Sequence, residues 1–224
     1  MLRYFGSSTG KKLLMAATGT ALFAFVIGHL LGNLQVFLGP EELNRYSAFL
    51  HSTGELLWLA RIGLLFMVIV HIWTATALTL ENLAARPAAY AARDYIEASY
   101  ASRTMPWSGL MAAAFIVYHL MHFSFRSVHP ELTHYTDALG RPDVYRMVVT
   151  SFQQPAITIV YIAANFLLGM HLSHGLYSAF QSLGILTDDL RTRLRALSYV
   201  IGYGMFLGYA SIPLSILLGI VRLP

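Results

Sequence analysis

Charge is missing from this sequence in long blocks: no Asp, Glu, Lys or Arg occurs in 13–40, 62–80, 104–125, 147–187 or 196–221. An apolar helix of about 20 residues covers the hydrocarbon core of a bilayer, where backbone polar groups must be satisfied within the segment. Five such blocks in one chain point to a bundle of membrane-crossing helices. The composition agrees: 12% of residues are charged, against about 25% in a soluble domain, and mean hydropathy is +0.57. The expected class is all-α, a single membrane domain over 1–224 with five transmembrane helices at roughly 13–38, 57–82, 105–126, 154–181 and 197–221. The 147–187 block is too long for one helix, so part of it reads as loop. Pro155 suits a first helical turn and Gly184 a C-terminal stop. No internal repeat is strong enough to claim.

The basic residues lie at the ends of the apolar runs, so the pI near 9.4 reads as membrane orientation, not nucleic-acid binding. With the N-terminus inside, the inner segments carry Arg3, Lys11, Lys12, Arg86, Arg93, Arg103, Arg191, Arg193 and Arg195. The outer segments carry Arg45, Arg61, Arg126, Arg141, Arg146 and Arg222. That mild bias favours an N-inside, C-outside topology, with longer loops at 83–104 inside and 127–153 outside. Met1–Lys12 reads as a short polar lead into a full-length span, not as a cleaved signal. The absence of cysteine excludes disulfides, thiolate metal sites, iron–sulfur ligation and covalent haem attachment through C-x-x-C-H.

Six of the nine histidines fall in predicted spans: His29, His71, His119, His122, His171 and His174. One intramembrane imidazole alone is explained equally well by a helix–helix hydrogen bond. Four helices that each carry one are harder to explain as packing. At about 1.5 Å per residue, His119 lies about 10 Å from outer Arg126 and His29 about 18 Å from outer Glu41. His71 lies about 15 Å from inner Glu81, and His171 about 27 Å from Gln153 at the outer end of its span. His29 and His119 thus share an outer level, and His71 and His171 an inner one. Two imidazoles at one level can bind one iron from both faces of a porphyrin, so two levels suit two stacked haems that carry electrons without an open coordination position. Gly19, Gly28, Gly32, Gly109, Gly169 and Gly175 would let a flat ring approach backbone, or equally let helices pack closely. Zinc, copper or a di-iron centre would want clustered ligands with Cys or carboxylate, and the spans contain almost no acid.

Several motifs resemble the cytochrome b membrane subunit of succinate:quinone oxidoreductases (succinate dehydrogenase or fumarate reductase, respiratory complex II) in its single-chain, five-helix, dihaem form. They are GHLLGNLQVFLG at 28–39, LNRYSAFLH at 43–51, MVIVHIWTATALTLENLAARPAAY at 67–90, FIVYHLMHF at 115–123 and HLSHGLYSAFQSLG at 171–184. The resemblance runs from about Lys11 to Val221 and preserves helix count and histidine order. It implies four haem iron ligands, His29 paired with His119 and His71 with His171. His122 and His174, about 60° round their helices from the ligands, become neighbours of the porphyrin, with Gly175 as clearance and Tyr177 as a polar contact at its rim. Some dihaem fumarate reductases place a glutamate two residues before the ligand of the fourth span, where this sequence has Gly169.

The resemblance further implies two non-covalent haem b groups and a membrane quinone, menaquinone in type. It implies a flavoprotein subunit with FAD and an iron–sulfur subunit bound at the inner face of a bacterial cytoplasmic membrane, and a complex able to form higher oligomers. Candidates for the quinone site are Asn44, Arg45, His51 and Glu55, with His134 behind them; each could equally be a solvated loop residue. Arg61 and Arg126 outside, and Arg86, Arg93 or Arg103 inside, could pair haem propionates or simply mark the membrane boundary. The rival readings are a dihaem subunit of another quinone-linked complex, such as a nitrate reductase, formate dehydrogenase or hydrogenase, and a haem-free transporter with a histidine path. The second would usually show broken helices or intramembrane acids.

Overall fold

In the computed structural model, which describes residues 6–85 and 100–224, every regular element is helical. Arg86 and Arg93 lie outside the described residues. In chain order the α-helices are α1 (Ser8–Asn33), α2 (Pro40–Ser52), α3 (Glu55–Ala84), α4 (Tyr100–Arg103), α5 (Met105–His119), α6 (Val144–Phe152), α7 (Pro155–Ser182) and α8 (Asp188–Leu217). Four of them, α1 with its 3₁₀ extension to Leu38, α3, α7 and α8, are long and apolar enough to cross a membrane. The helix α5 is shorter, 15 residues, and continues as a π turn over Leu120–Ser124.

The ends follow local chemistry. The Ser7 side chain accepts from Gly10 N–H and caps α1. Gly39, at φ +105°, separates the 3₁₀ turn from α2, which opens on Pro40 with Glu41 and Glu42 in its first turn. Pro155 opens α7. At the other end of α7, Gly184 adopts φ +72° while its own N–H donates to Gln181 O and that of Ile185 to Phe180 O. Those paired bonds are the Schellman stop that a glycine permits.

The segment 127–153, expected outside, is more than a loop. Tyr145, Val148, Val149 and Phe152 recur at helical spacing, and α6 buries them against Val36, Leu43, Ile157, Tyr161, Ile212 and Ile216. The sequence predicts a loop over 127–153, and the apolar face of α6 lies partly in the charge-free block 147–187, whose length hides its helical spacing. Two polar latches tie this cap to α2. Arg141 donates to both carboxylate oxygens of Glu41 (3.2 and 2.7 Å) and to Asp137 (2.7 Å). These bonds hold the Glu41 carboxyl below the usual carboxylate range.

Asn44, one of the quinone-site candidates, forms the second latch. It is buried, its amide donates to Asp143 Oδ1 (2.9 Å), and its carbonyl accepts from Tyr145 N–H (2.9 Å). Asp143 in turn caps α6 through Arg146 N–H. Both ends of the Asn44 side chain are therefore spent on structure. Asn44→Ala strands a buried N–H and weakens the cap, and is expected to cost about 2–3 kcal/mol, read as a lowered unfolding midpoint in detergent.

In the bundle, α7 packs most closely on α8, α1 packs on α3 and α7, and α5 packs on α7. The α7–α8 crossing is glycine on glycine: a Cβ at Gly169 would lie 2.8 Å from Gly202 O, and one at Gly202 would lie 2.6 Å from Gly169 O. Gly169 is thus a helix-packing residue. Gly32 likewise faces the Tyr46 ring. At the end opposite the α6 cap, Lys11 of α1 pairs with Glu81 of α3, and Ser8 also donates to Glu81 (3.2 Å). The outward face of α3 carries Trp58, Leu59, Ile62, Phe66, Ile69 and Trp73, all exposed, a surface suited to lipid.

Candidate functional site

Two pairs of histidine rings meet inside the bundle. His29 of α1 and His119, the last residue of α5, have ring centroids 5.8 Å apart at an interplanar angle of 84°. His71 of α3 and His171 of α7 are 6.4 Å apart at 70°. The helices that supply each pair, α1 with α5 and α3 with α7, make at most marginal backbone contact. Each pair therefore spans two helices that stand apart. Thr18 on α1 touches His71, and Ser108 on α5 touches His171. His29 and His119 each lie eleven residues further along those same helices, so the two levels are about 16 Å apart at 1.5 Å per residue.

This geometry fits a metalloporphyrin. A metal held between two imidazoles, about 2 Å from each nitrogen and with ring radii of roughly 1 Å, would need ring centroids about 6 Å apart. Both observed separations match. Gly19 and Gly109 leave room for the inner rings: a Cβ at Gly19 would lie 3.1 Å from His71 Cε1, and one at Gly109 would lie 3.4 Å from His171 Cε1. At the outer level His119 Nδ1 is buried with no hydrogen-bond partner among the described residues, an arrangement that normally demands an explanation. Among the described residues no three His, Asp or Glu side chains gather at one point. Each level offers two imidazoles, a donor set suited to haem iron.

The neighbouring histidines differ from the paired ones. His122 is fully buried, with Nδ1 bonded to Tyr161 OH (3.0 Å), Nε2 bonded to Ser151 Oγ (3.2 Å) and its ring stacked on Phe123. Both its nitrogens are engaged, and it ties α7 and α6 to the π turn. His174 is half-buried beside Gly175, which faces Met105. The guanidinium of Arg195 lies over the Tyr177 ring at 5.3 Å.

Arg61 is exposed and stacks on Trp58 (5.1 Å). Arg103 lies over Tyr100 (5.8 Å). Arg126, in left-handed backbone at φ +54°, lines a shallow recess with His134 and Tyr135. Arg45 is exposed and pairs with Glu42, both beside an open recess that includes Gln35, Tyr46 and Phe49. His51 is exposed, with Nδ1 against Ser47 O (2.8 Å), and Glu55 is exposed at the start of α3. The quinone candidates are therefore not drawn into one pocket: Asn44 is inside, and the other three lie on the surface of the α2–α3 corner.

Thr18 and Ser108, which touch the inner pair, and two tyrosines near the outer pair have no counterpart among the residues the sequence singles out. Tyr161 lies 6.1 Å from the His119 ring, and Tyr209 lies 6.3 Å from the His29 ring and donates to Val26 O. Hydroxyl residues one helix away from a ligand leave no mark in local sequence. Comparison of the chain with protein families, with characterised proteins and with solved structures finds no match in any of the three.

Proposed function

We propose that this chain is the dihaem cytochrome b membrane subunit of a succinate:quinone oxidoreductase. In this reading α5 and its π turn form a fifth span. The N-terminus is cytoplasmic in a bacterial membrane, and the inner end anchors a flavoprotein subunit with FAD and an iron–sulfur subunit. The observation that carries it is the pair of ring separations, 5.8 and 6.4 Å, between helices that do not otherwise pack. The family assignment rests on the motif resemblance.

His29 with His119, and His71 with His171, would hold the irons of two haem b groups. When bound, these groups supply one-electron carriers that connect the partner's clusters to membrane quinone, with menaquinone as the expected type. The chain's own residues set where this happens. Two ligand levels about 16 Å apart divide a hydrocarbon core of about 30 Å. Gly19 keeps a Cβ away from the His71 ring, and apolar Phe25, Phe115 and Phe123 surround the outer rings, where they exclude water.

The test is a dithionite-reduced minus oxidised spectrum with a pyridine haemochrome count on the purified protein. Two b haems per chain are expected. None would overturn the reading, and one would overturn the dihaem form. Co-purification with a flavoprotein that oxidises succinate separates this assignment from other quinone-linked complexes.

A further inference from the structure

The contacts at the inner pair reveal a repeat. Residues 18–30, TGTALFAFVIGHL, and 108–120, SGLMAAAFIVYHL, align without a gap: Ser/Thr-Gly, then Ala-Phe followed by two β-branched residues, then His-Leu. The equivalent side chains do equivalent things. Phe25 stacks on His29 four residues later (5.4 Å between centroids), and Phe115 packs on His119 (5.9 Å). Thr18 Oγ1 lies 3.2 Å from Nδ1 of His71 on α3, and Ser108 Oγ lies 3.3 Å from Nδ1 of His171 on α7. Gly19 and Gly109 face those same two rings. The helix pairs α1–α3 and α5–α7 are thus two copies of one unit. Each gives an outer histidine from its first helix and an inner histidine from its second, seated on a hydroxyl–glycine step of the first.

The direction of the hydroxyl bonds can be worked out. Thr18 Oγ1 donates its one hydrogen to Leu14 O (2.7 Å) or Met15 O (3.2 Å), and Ser108 Oγ donates to Met105 O (3.1 Å). With those hydrogens committed to the carbonyls, each oxygen faces Nδ1 with a lone pair and is placed to accept from Nδ1–H, and at His71 the backbone of Met15 is a second hydrogen-bond partner of the ring. In a neutral imidazole that leaves the lone pair on Nε2. At the outer pair no residue among those described bonds His119 Nδ1.

We propose that Thr18 and Ser108 are positioning residues that lock His71 and His171 in the tautomer with an open Nε2, and that this pair of bonds distinguishes the inner site electronically from the outer one. A bond accepted from the far nitrogen raises the basicity of a ligating imidazole. Stronger donation stabilises the oxidised metal, so the two hydroxyls hold the inner potential down. The inference rests on the haem reading given above.

The experiment is a redox titration of the haem α-band in the purified full-length protein, comparing wild type with Thr18→Val, Ser108→Ala, the double variant and Thr18→Ser. The expected result is that one of two transitions moves to more positive potential in each hydroxyl-deleted variant, most in the double, while the other transition stays. Thr18→Ser, which keeps the acceptor, restores the wild-type value. Loss of one haem in Thr18→Val with rescue by Thr18→Ser also supports the assignment. Two unmoved transitions, or both moving together, would overturn it. A wild-type protein without haem overturns the proposed function instead, so the two failures are distinguishable.

Discussion

If the chain holds two haems as proposed, His171→Ala is expected to reduce the haem content from two per chain to one, while His174→Ala leaves it at two with an altered potential. The two histidines sit three apart on α7, and the sequence presents them as near equivalents. The structure separates them. The His171 ring is 6.4 Å from His71, its Nδ1 is 3.3 Å from Ser108 Oγ, and Gly109 faces it. His174 is half-buried and meets no ring of a partner histidine among the described residues. In the proposed reading, removing one imidazole of a pair leaves a single protein ligand for a non-covalent group, with no cysteine in the chain and no third donor gathered there among the described residues. The difference is large enough to read from pyridine haemochrome absorbance per chain. If His174→Ala loses a haem and His171→Ala does not, the register assigned to α7 is one turn off.

What could be read from the sequence was whatever depends on one segment at a time. Charge-free length marks the long helices, Pro155 and Gly184 mark the ends of α7, and depth along each helix puts His29 near His119 and His71 near His171, the rings that meet. What depends on how segments pack was hidden. The cap helix α6 shares its apolar residues with a charge-free block, so its amphipathic face was masked by the length of that block. Asn44 resembled an exposed polar group, but its partners Asp143 and Tyr145 are a hundred residues away. Gly169 stood beside a candidate ligand and suggested clearance for a ring, whereas its neighbour is the backbone of α8. The repeat of α1 in α5 is carried by a few identities and becomes evident once Thr18 and Ser108 are seen to do the same thing.

Gly202→Val is expected to cost much stability at the α7–α8 crossing, and Gly204→Ala is its control. A Cβ at Gly202 would lie 2.6 Å from Gly169 O, 2.7 Å from Ser173 Cβ and 2.9 Å from Ser173 N. None of these is the end of a flexible side chain, so the only relief is to part α7 from α8. In lipid that separation has no hydrophobic compensation, because helix association there depends on close van der Waals contact. Overpacking of this kind costs about 1–3 kcal/mol in well-packed interiors, and the rigid backbone on both sides puts Gly202→Val at the upper end. About 3 kcal/mol corresponds to a fall of roughly 6–12 °C in the unfolding midpoint for a chain of this size. Gly204, two residues along the same helix, has no atom within 4 Å of its ideal Cβ, so alanine there meets open space and gains helix propensity. Its midpoint in detergent should match or slightly exceed that of the wild type. Equal losses from the two variants would show that α8 tolerates no added bulk anywhere along this stretch, and that the crossing at Gly169 is not what holds α7 and α8 together.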